Sequence, residues 1–337
     1  MGRNLTRPNF IGGATCGGVE VITPGGIVAS GVTQGNRYYV RPYNGADSND
    51  GKSPSTAFKT LKKARDTATA NQNDIVYLMG ENNTATKTFD YLATALDWNK
   101  DAVHLIGIGC GAFLGQRAGL RNAITGTGVA IEDLFTVSAN NCLIENIEVF
   151  QGDATFTATT PRACVVSGMR NHFVNCQLSG IGDTGNSMDV ALASSLSVTG
   201  DENYFENCYI GLDTCLRATC LGEVRITGKR NVFEDCFIES YTSLSTFKAV
   251  IMTSVDRFTF FKNTIFSAIQ NITSAVAPTG AILNTTPNGN AIILGGGAYG
   301  YADVSTLDDT KTLMLAHHGY TGTAGAELVG IGQGVDA

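Results

Sequence analysis

Charge is scarce in this chain. Asp, Glu, Lys and Arg supply 16% of its 337 residues, and the acidic ones prevail to a formal net charge of −7. So little basic surface excludes broad nucleic-acid binding. Long hydrophobic runs are missing as well: no stretch approaches the ~20 apolar residues that a membrane-spanning helix needs. The opening Met-Gly-Arg-Asn-Leu-Thr-Arg-Pro lacks the apolar core of a secretory signal, so any exit from a cell is expected by another route. The nine cysteines include no Cys-x-x-Cys pair with a His partner, which leaves no recognisable metal site and no cofactor set. The repeated part of the chain does not place apolar residues at i, i+3, i+4 and i+7, and that excludes a solenoid of helices.

What the chain does have is glycine, 40 residues of it, and a phrase that recurs. The copies are Cys-Leu-Ile-Glu-Asn-Ile-Glu-Val (142–149), Asn-His-Phe-Val-Asn-Cys-Gln-Leu (171–178), Asn-Tyr-Phe-Glu-Asn-Cys-Tyr-Ile (203–210), Asn-Val-Phe-Glu-Asp-Cys-Phe-Ile (231–238) and Thr-Phe-Phe-Lys-Asn-Thr-Ile-Phe (259–266). Its fifth position runs Asn146, Asn175, Asn207, Asp235, Asn263, in steps of 29, 32, 28 and 28. Repetition at such a period marks a solenoid, in which each repeat hides its apolar face by stacking on its neighbours.

The spacing inside the phrase selects the kind of solenoid. Residues two apart share one face of a strand, yet the buried candidates Phe173 and Cys176 are three apart. The alternation must slip at Asn175, and a bend there provides the slip. Asn tolerates the left-handed conformation such a bend needs, and its amide can reach the copy one coil away. Stacking then predicts the Asn ladder above, an aromatic ladder (Ile144, Phe173, Phe205, Phe233, Phe261) and an aliphatic one (Val149, Leu178, Ile210, Ile238, Phe266). The fold is all-β, a parallel β-helix of about one coil per repeat. Cys176, Cys208 and Cys236 share one position with Ile147 and Thr264, which reads as packing rather than bonding. Cys215 and Cys220 read as structural thiols too.

Residues 1–36, rich in Gly, Thr and Val, lack the apolar mass for a core of their own and are expected to form an arm, with short strands at 19–22 and 27–29. Residues 37–72 open the ordered body. Arg37-Tyr-Tyr-Val-Arg-Pro is a strand, Asn44-Gly-Ala-Asp-Ser-Asn-Asp-Gly-Lys-Ser is a loop, and Phe58-Lys-Thr-Leu-Lys-Lys-Ala is a helix with Thr56 or Ser55 as its cap. This strand–loop–helix run resembles the opening of pectate-lyase-like right-handed parallel β-helices, a superfamily common in secreted polysaccharide enzymes and in bacteriophage virion proteins. The resemblance implies a right-handed coil whose open end the helix covers, which protects unpaired backbone. The Asp47–Gly51 loop has the alternating oxygens of a calcium loop but no late acidic ligand, so a turn braced by Asx hydrogen bonds is expected. The solenoid is placed at 73–300, with Phe89–Trp98 as an excursion and His104 facing outward, and a second arm or end cap, holding His317 and His318, at 301–337.

The full motif sets of the lyases and polygalacturonases are absent. One pair of carboxylates stands out: Glu206 and Glu234 fall at one outward position in consecutive coils, about 5 Å apart, near the separation used by retaining glycosidases. Glu145 and Lys262 share that stripe, and a solvated ion-pair face is the preferred reading. Asp183, Asp189 and Asp213 fall in expected turns. Tyr209 and Phe237 are expected outward, as a platform for a sugar or for a neighbouring subunit.

The functional expectation is a non-enzymatic virion structural protein made in the host cytoplasm, a capsid decoration or cement protein on the particle exterior. It would form a homotrimer and bind other virion proteins, such as the major capsid protein, through Arg3, Arg7 and Phe10 of the arm, and its partners would include neither nucleic acid nor membrane. The alternative is a tailspike or tail-fibre enzyme that binds and cleaves host surface polysaccharide.

Overall fold

A computed structural model describes residues 14–16, 19–21, 35–83, 86–109, 118–122, 131–152, 159–182, 188–253, 257–270, 277–285, 290–302 and 312–315. Three parallel sheets of 10, 8 and 7 strands wrap one continuous apolar interior as a right-handed parallel β-helix. From Leu143 to Gln270 each coil contributes a strand to the first sheet, turns at the phrase's Asn or Asp, contributes to the second sheet, and crosses a corner of variable length to the third.

The ladders fall in the expected register. Ile144 pairs with Phe173, Phe173 with Phe205, Phe205 with Phe233 and Phe233 with Phe261. All are buried, and the Phe rings stack at 4.9, 4.7 and 5.2 Å between centroids. Burying each such side chain is worth roughly 1.5–3 kcal/mol. Val149, Leu178, Ile210, Ile238 and Phe266 form the second ladder in the same way.

Between these ladders the chain turns through left-handed residues, with φ of 55° at Asn146, 52° at Asn175, 50° at Asn207, 53° at Asp235 and 49° at Asn263. Gly295 takes the same place one coil on, at 73°. The side chains join as anticipated: Asn175 donates to Asn146, Asn207 to Asn175 at 3.5 Å, and Asn263 to Asp235 at 3.1 Å. The next residue fills a second niche. The thiols of Cys176, Cys208 and Cys236 point at the carbonyls of Ile144, Phe173 and Phe205, and the Thr264 hydroxyl points at that of Phe233. A thiol and a hydroxyl are interchangeable there because each offers one donor to the coil before.

A further ladder, visible in the phrase's first letter but not anticipated, staples the turn from the third sheet to the first. Buried Asn171, Asn203 and Asn231 accept the backbone N–H groups of Cys142, Asn171 and Asn203. Their amides donate to the carbonyls of Ala139, Gly168 and Gly200. Two otherwise orphaned backbone groups are satisfied per coil.

The amino end differs from expectation in two places. The helix spans Leu61–Thr67 and is capped by Thr60, not by Thr56 or Ser55. Asp47 causes this: its carboxylate accepts the N–H groups of Lys59 and Thr60 and the Thr60 hydroxyl, so the chain straightens until residue 60. Phe58 therefore precedes the helix, bridging to Val40, while Leu61 and Ala64 enter the core. Asp50 closes the loop as an Asx turn, accepting Lys52 N–H at 3.0 Å and the Thr56 hydroxyl at 2.6 Å. The segment Phe89–Trp98 is not an excursion. Its strands Asp90–Leu92 and Leu96–Trp98 are the first of the second and third sheets, and Trp98 is buried with its indole N–H on the Val103 carbonyl. The excursion is instead the antiparallel hairpin of Glu81–Asn83 with Thr86–Thr88.

In the expected arm, Val19–Val21 pairs antiparallel with Ala14–Cys16, and the expected strand at 27–29 lies outside the described residues. From the 301–337 segment, Thr312–Leu315 adds a last strand to the first sheet, parallel to Asn290–Leu294. His317 and His318 lie outside the described residues.

Candidate functional site

Two outward columns run along the first sheet. One places His104, Leu143, His172, Tyr204, Val232 and Phe260 in register; the other places Glu145, Val174, Glu206, Glu234 and Lys262 beside them. Parallel strands without a register slip force this alignment, so chemistry written at one phrase position is stacked along the rod.

Glu206 and Glu234 are indeed neighbours across the sheet, and each has its own partners. Glu206 meets His172 Nε2 at 3.0 Å, and the His172 ring stacks on Tyr204 with centroids 4.7 Å apart. The Tyr204 hydroxyl donates to Glu234 at 2.5 Å, and Lys262 ion-pairs with Glu234. The Lys262 ammonium, aided by the Tyr204 hydroxyl, holds the Glu234 carboxyl below the usual carboxylate range. Burial, reinforced by Glu234, pushes the Tyr204 hydroxyl up. A glycosidase acid must keep its proton near neutrality. Glu234 is shifted the opposite way. Burial does raise Glu145, but Val174 separates it from Glu206 in the ladder. His104 faces outward, half-buried, its Nδ1 accepting the Leu143 N–H at 3.0 Å, and burial pulls its pKa down.

The expected platform takes a different form. Tyr209 and Phe237 stack at 5.8 Å, but Tyr209 is only 2% exposed and its hydroxyl donates to Glu239 at 2.6 Å. Outward parity here does not mean exposure, because the outer side of the second sheet carries a packed layer. Its register mates Glu148 and Gln177 are buried too. Above them, Arg121 pairs with Glu148 at 2.6 Å, its guanidinium 3.8 Å from the Phe89 ring centroid and 4.4 Å from that of Phe150. Phe237 is half-buried. Arg3, Arg7 and Phe10, and likewise Asp183, lie outside the described residues.

Asp189 lies in a loop as expected, whereas Asp213 falls inside the strand Tyr209–Arg217, where the pairing register shifts, and not in a turn. The Asp189 carboxylate accepts the N–H groups of Ala218, Thr219 and Cys220 at 2.7, 2.9 and 2.8 Å, while Asp213 is exposed. Cys220 is buried with its thiol pushed up to about 12 by burial, and Cys215 is half-buried. Among the described residues, no group of three His, Cys, Asp or Glu is arranged to hold a metal ion, and no helix is long and apolar enough to cross a membrane.

Sequence reasoning missed the polar cluster at the corner between the second and third sheets. Arg217 and Glu223 are both 0% exposed, with Nε–Oε2 and Nη2–Oε1 distances of 3.3 Å. The Ser195 and Ser240 hydroxyls complete the carboxylate. The repeated phrase carries no mark of it; the strand Tyr209–Arg217, which overruns its mates in the repeat, shows the irregularity only in the structure.

No protein-family model matches the chain, and no curated protein matches it in sequence. Among solved structures the chain is similar to the deglycosylated pectin methylesterase from Aspergillus niger, at 14% identity and a TM-score of 0.54, over 90% of this chain and 93% of that one. It is similar also to the pectin methylesterase PemA from Erwinia chrysanthemi, at 14% identity and a TM-score of 0.51, over 86% of this chain and 90% of that one. For the pectate lyase Pel9A the values are 12% and 0.48, over 85% and 80%. At these identities the likeness concerns the fold, and function has to be argued from the site.

Proposed function

We propose that this protein is a non-enzymatic structural component of a bacteriophage virion, a decoration or cement protein on the particle exterior that works by surface contact. The observation that carries the non-enzymatic reading is the state of the paired carboxylates: Glu206 is engaged by His172, and Glu234 by Tyr204 and Lys262 with its pKa lowered. Such a ladder is suited to holding a face together, not to moving protons. The strand–loop–helix opening, which resembles that of phage and secreted β-helices, supports the virion setting. In this reading the rod assembles as a homotrimer, and residues 1–36, with Arg3, Arg7 and Phe10, reach the major capsid protein. Mass spectrometry and labelled imaging of purified particles test it: the protein is expected on the head exterior, and its absence from particles overturns the reading. Deleting residues 1–36 is expected to abolish attachment while the rod still folds.

A second reading, a tailspike enzyme acting on host surface polysaccharide, draws on the stacked His172 and Tyr204 rings beside Glu206 and Glu234. Rings next to carboxylates suit a sugar chain. Incubation with host capsular or lipopolysaccharide separates the two. Released fragments that disappear in Glu206→Gln or Glu234→Gln favour the enzyme; intact polysaccharide favours the structural part.

A further inference from the structure

The corner between the second and third sheets brings together a fully buried charge pair, a β-branched residue in left-handed backbone and a shifted register. Arg217 Nη1 donates to the carbonyls of Ile181 and Cys215, both at 2.9 Å, and Nη2 donates to that of Gly180 at 3.1 Å. Glu223 is filled by Arg217, Ser195 and Ser240, and Ser195 in turn accepts the Gly180 N–H. Ile181, a β-branched residue, stands at φ 55°, where such side chains are genuine outliers. Gly211, in the same corner, sits at φ 107°, and a Cβ there would lie 1.9 Å from the Glu239 carbonyl oxygen and 2.9 Å from Glu223 Cγ. The pairing of Tyr209–Arg217 with Phe237–Thr242 jumps from Leu212↔Ser240 to Leu216↔Tyr241, so residues 213–215 bulge out.

Desolvating two charges makes such a pair a poor source of stability compared with apolar side chains of similar volume, and registry is the best-attested use of buried charge. Strained backbone persists only where its surroundings over-determine it. Here the surroundings are the two forks of one guanidinium, which grip Gly180 and Ile181 on one coil and Cys215 on the next. The Asp189 carboxylate, across the same turn, fixes residues 218–220.

We propose that the Arg217–Glu223 pair is a register lock: it holds Ile181 left-handed and fixes the 213–215 bulge, so that the exposed residues Asp213, Thr214, Ala218 and Thr219 project from the rod in a single conformation. The lock acts on shape and is independent of whether the rod belongs to a virion.

The test uses the full chain with the paired substitution Arg217→Met and Glu223→Leu. The variant is expected to keep the wild-type circular dichroism and to melt within about 5 °C of it. Its Cys215, half-buried in the wild type, is expected to alkylate about tenfold faster or more, with new protease cuts at 211–219. A folded variant whose Cys215 reacts within about twofold of the wild-type rate, and which is not cut there, overturns the lock. Should the variant not fold, hydrogen exchange on the wild type decides. The lock requires the Gly180, Leu216 and Arg217 amides to exchange as slowly as those of Val232–Glu234; exchange about a hundredfold faster overturns it.

Discussion

At the turn from the third sheet to the first, Asn171, Asn203 and Asn231 make the same hydrogen bonds coil after coil; at the turn from the second sheet to the third, Arg217 and Glu223 act once. The first turn has nearly constant length, so one neutral amide per coil reaches the same carbonyl each time. The second varies in length, and no repeated side chain could serve all its versions. Neutral amides cost little to bury once bonded, whereas charges need every lone pair and proton filled. A repeating corner is thus held by a ladder, and an irregular one by a singular, fully satisfied cluster.

The largest effect is expected from Glu223→Leu alone, which strands Arg217 in the interior at a cost of about 3–5 kcal/mol in urea denaturation, while the double variant recovers most of it. A single variant costing under about 1 kcal/mol would break the contrast between the two corners. Next is Asn203→Leu, which leaves the Asn171 N–H and the Gly168 carbonyl without their partner, for a loss of about 2–4 kcal/mol. A loss as large as that of Glu223→Leu would erase the distinction between neutral and charged devices.

A buried carboxylate held by an N–H instead of a cation sharpens the comparison through pH. Asp90 accepts the Leu61 N–H at 2.7 Å, and burial pushes its carboxyl up to about 6. The folded state therefore keeps this proton where the unfolded chain has lost it, so the stability gained from it is full below about pH 4 and declines up to pH 6, by up to about 3 kcal/mol. Asp90→Asn should remove that decline from a stability–pH series and keep the acceptor oxygen. The smallest effect belongs to the outside of the rod. Lys262→Ala should leave the stability to denaturant nearly unchanged. It should also raise the Glu234 pKa toward its ordinary value, read by NMR titration; the wild-type contribution is present at neutral pH and is lost as pH falls through the lowered value.

How far the sequence could be read follows the same division. Phe173, Asn175, Cys176 and Leu178 recur at fixed offsets, so two sheets and their shared bend could be derived down to the pairing of residues. The inward residues of the third sheet, Cys164, Leu196, Val224 and Val250, pair just as regularly, but they follow corners of unequal length and no common phrase announces them. Glu206, Glu234 and Lys262 were legible as neighbours on one stripe, but His172 and Tyr204 reach the carboxylates from the adjacent column of the preceding coil, which the spacing of that stripe does not reveal. Tyr209 was misplaced because strand parity tells which side a residue faces and not whether neighbours such as Phe237 and Glu239 leave that side open. Trp98 was misjudged because the first coil lacks the phrase that marks the later ones.

The one-residue Asn bend has a bearing on length. Ten strands in the first sheet make nine steps of ~4.8 Å, a rod of about 43 Å. Since every bend between 146 and 263 is built alike and hands the chain on in the same direction, a tandem duplication of one 28-residue unit would extend the rod by a single step. Neither end would need to change, so the molecule is a ruler whose graduations can be added one at a time.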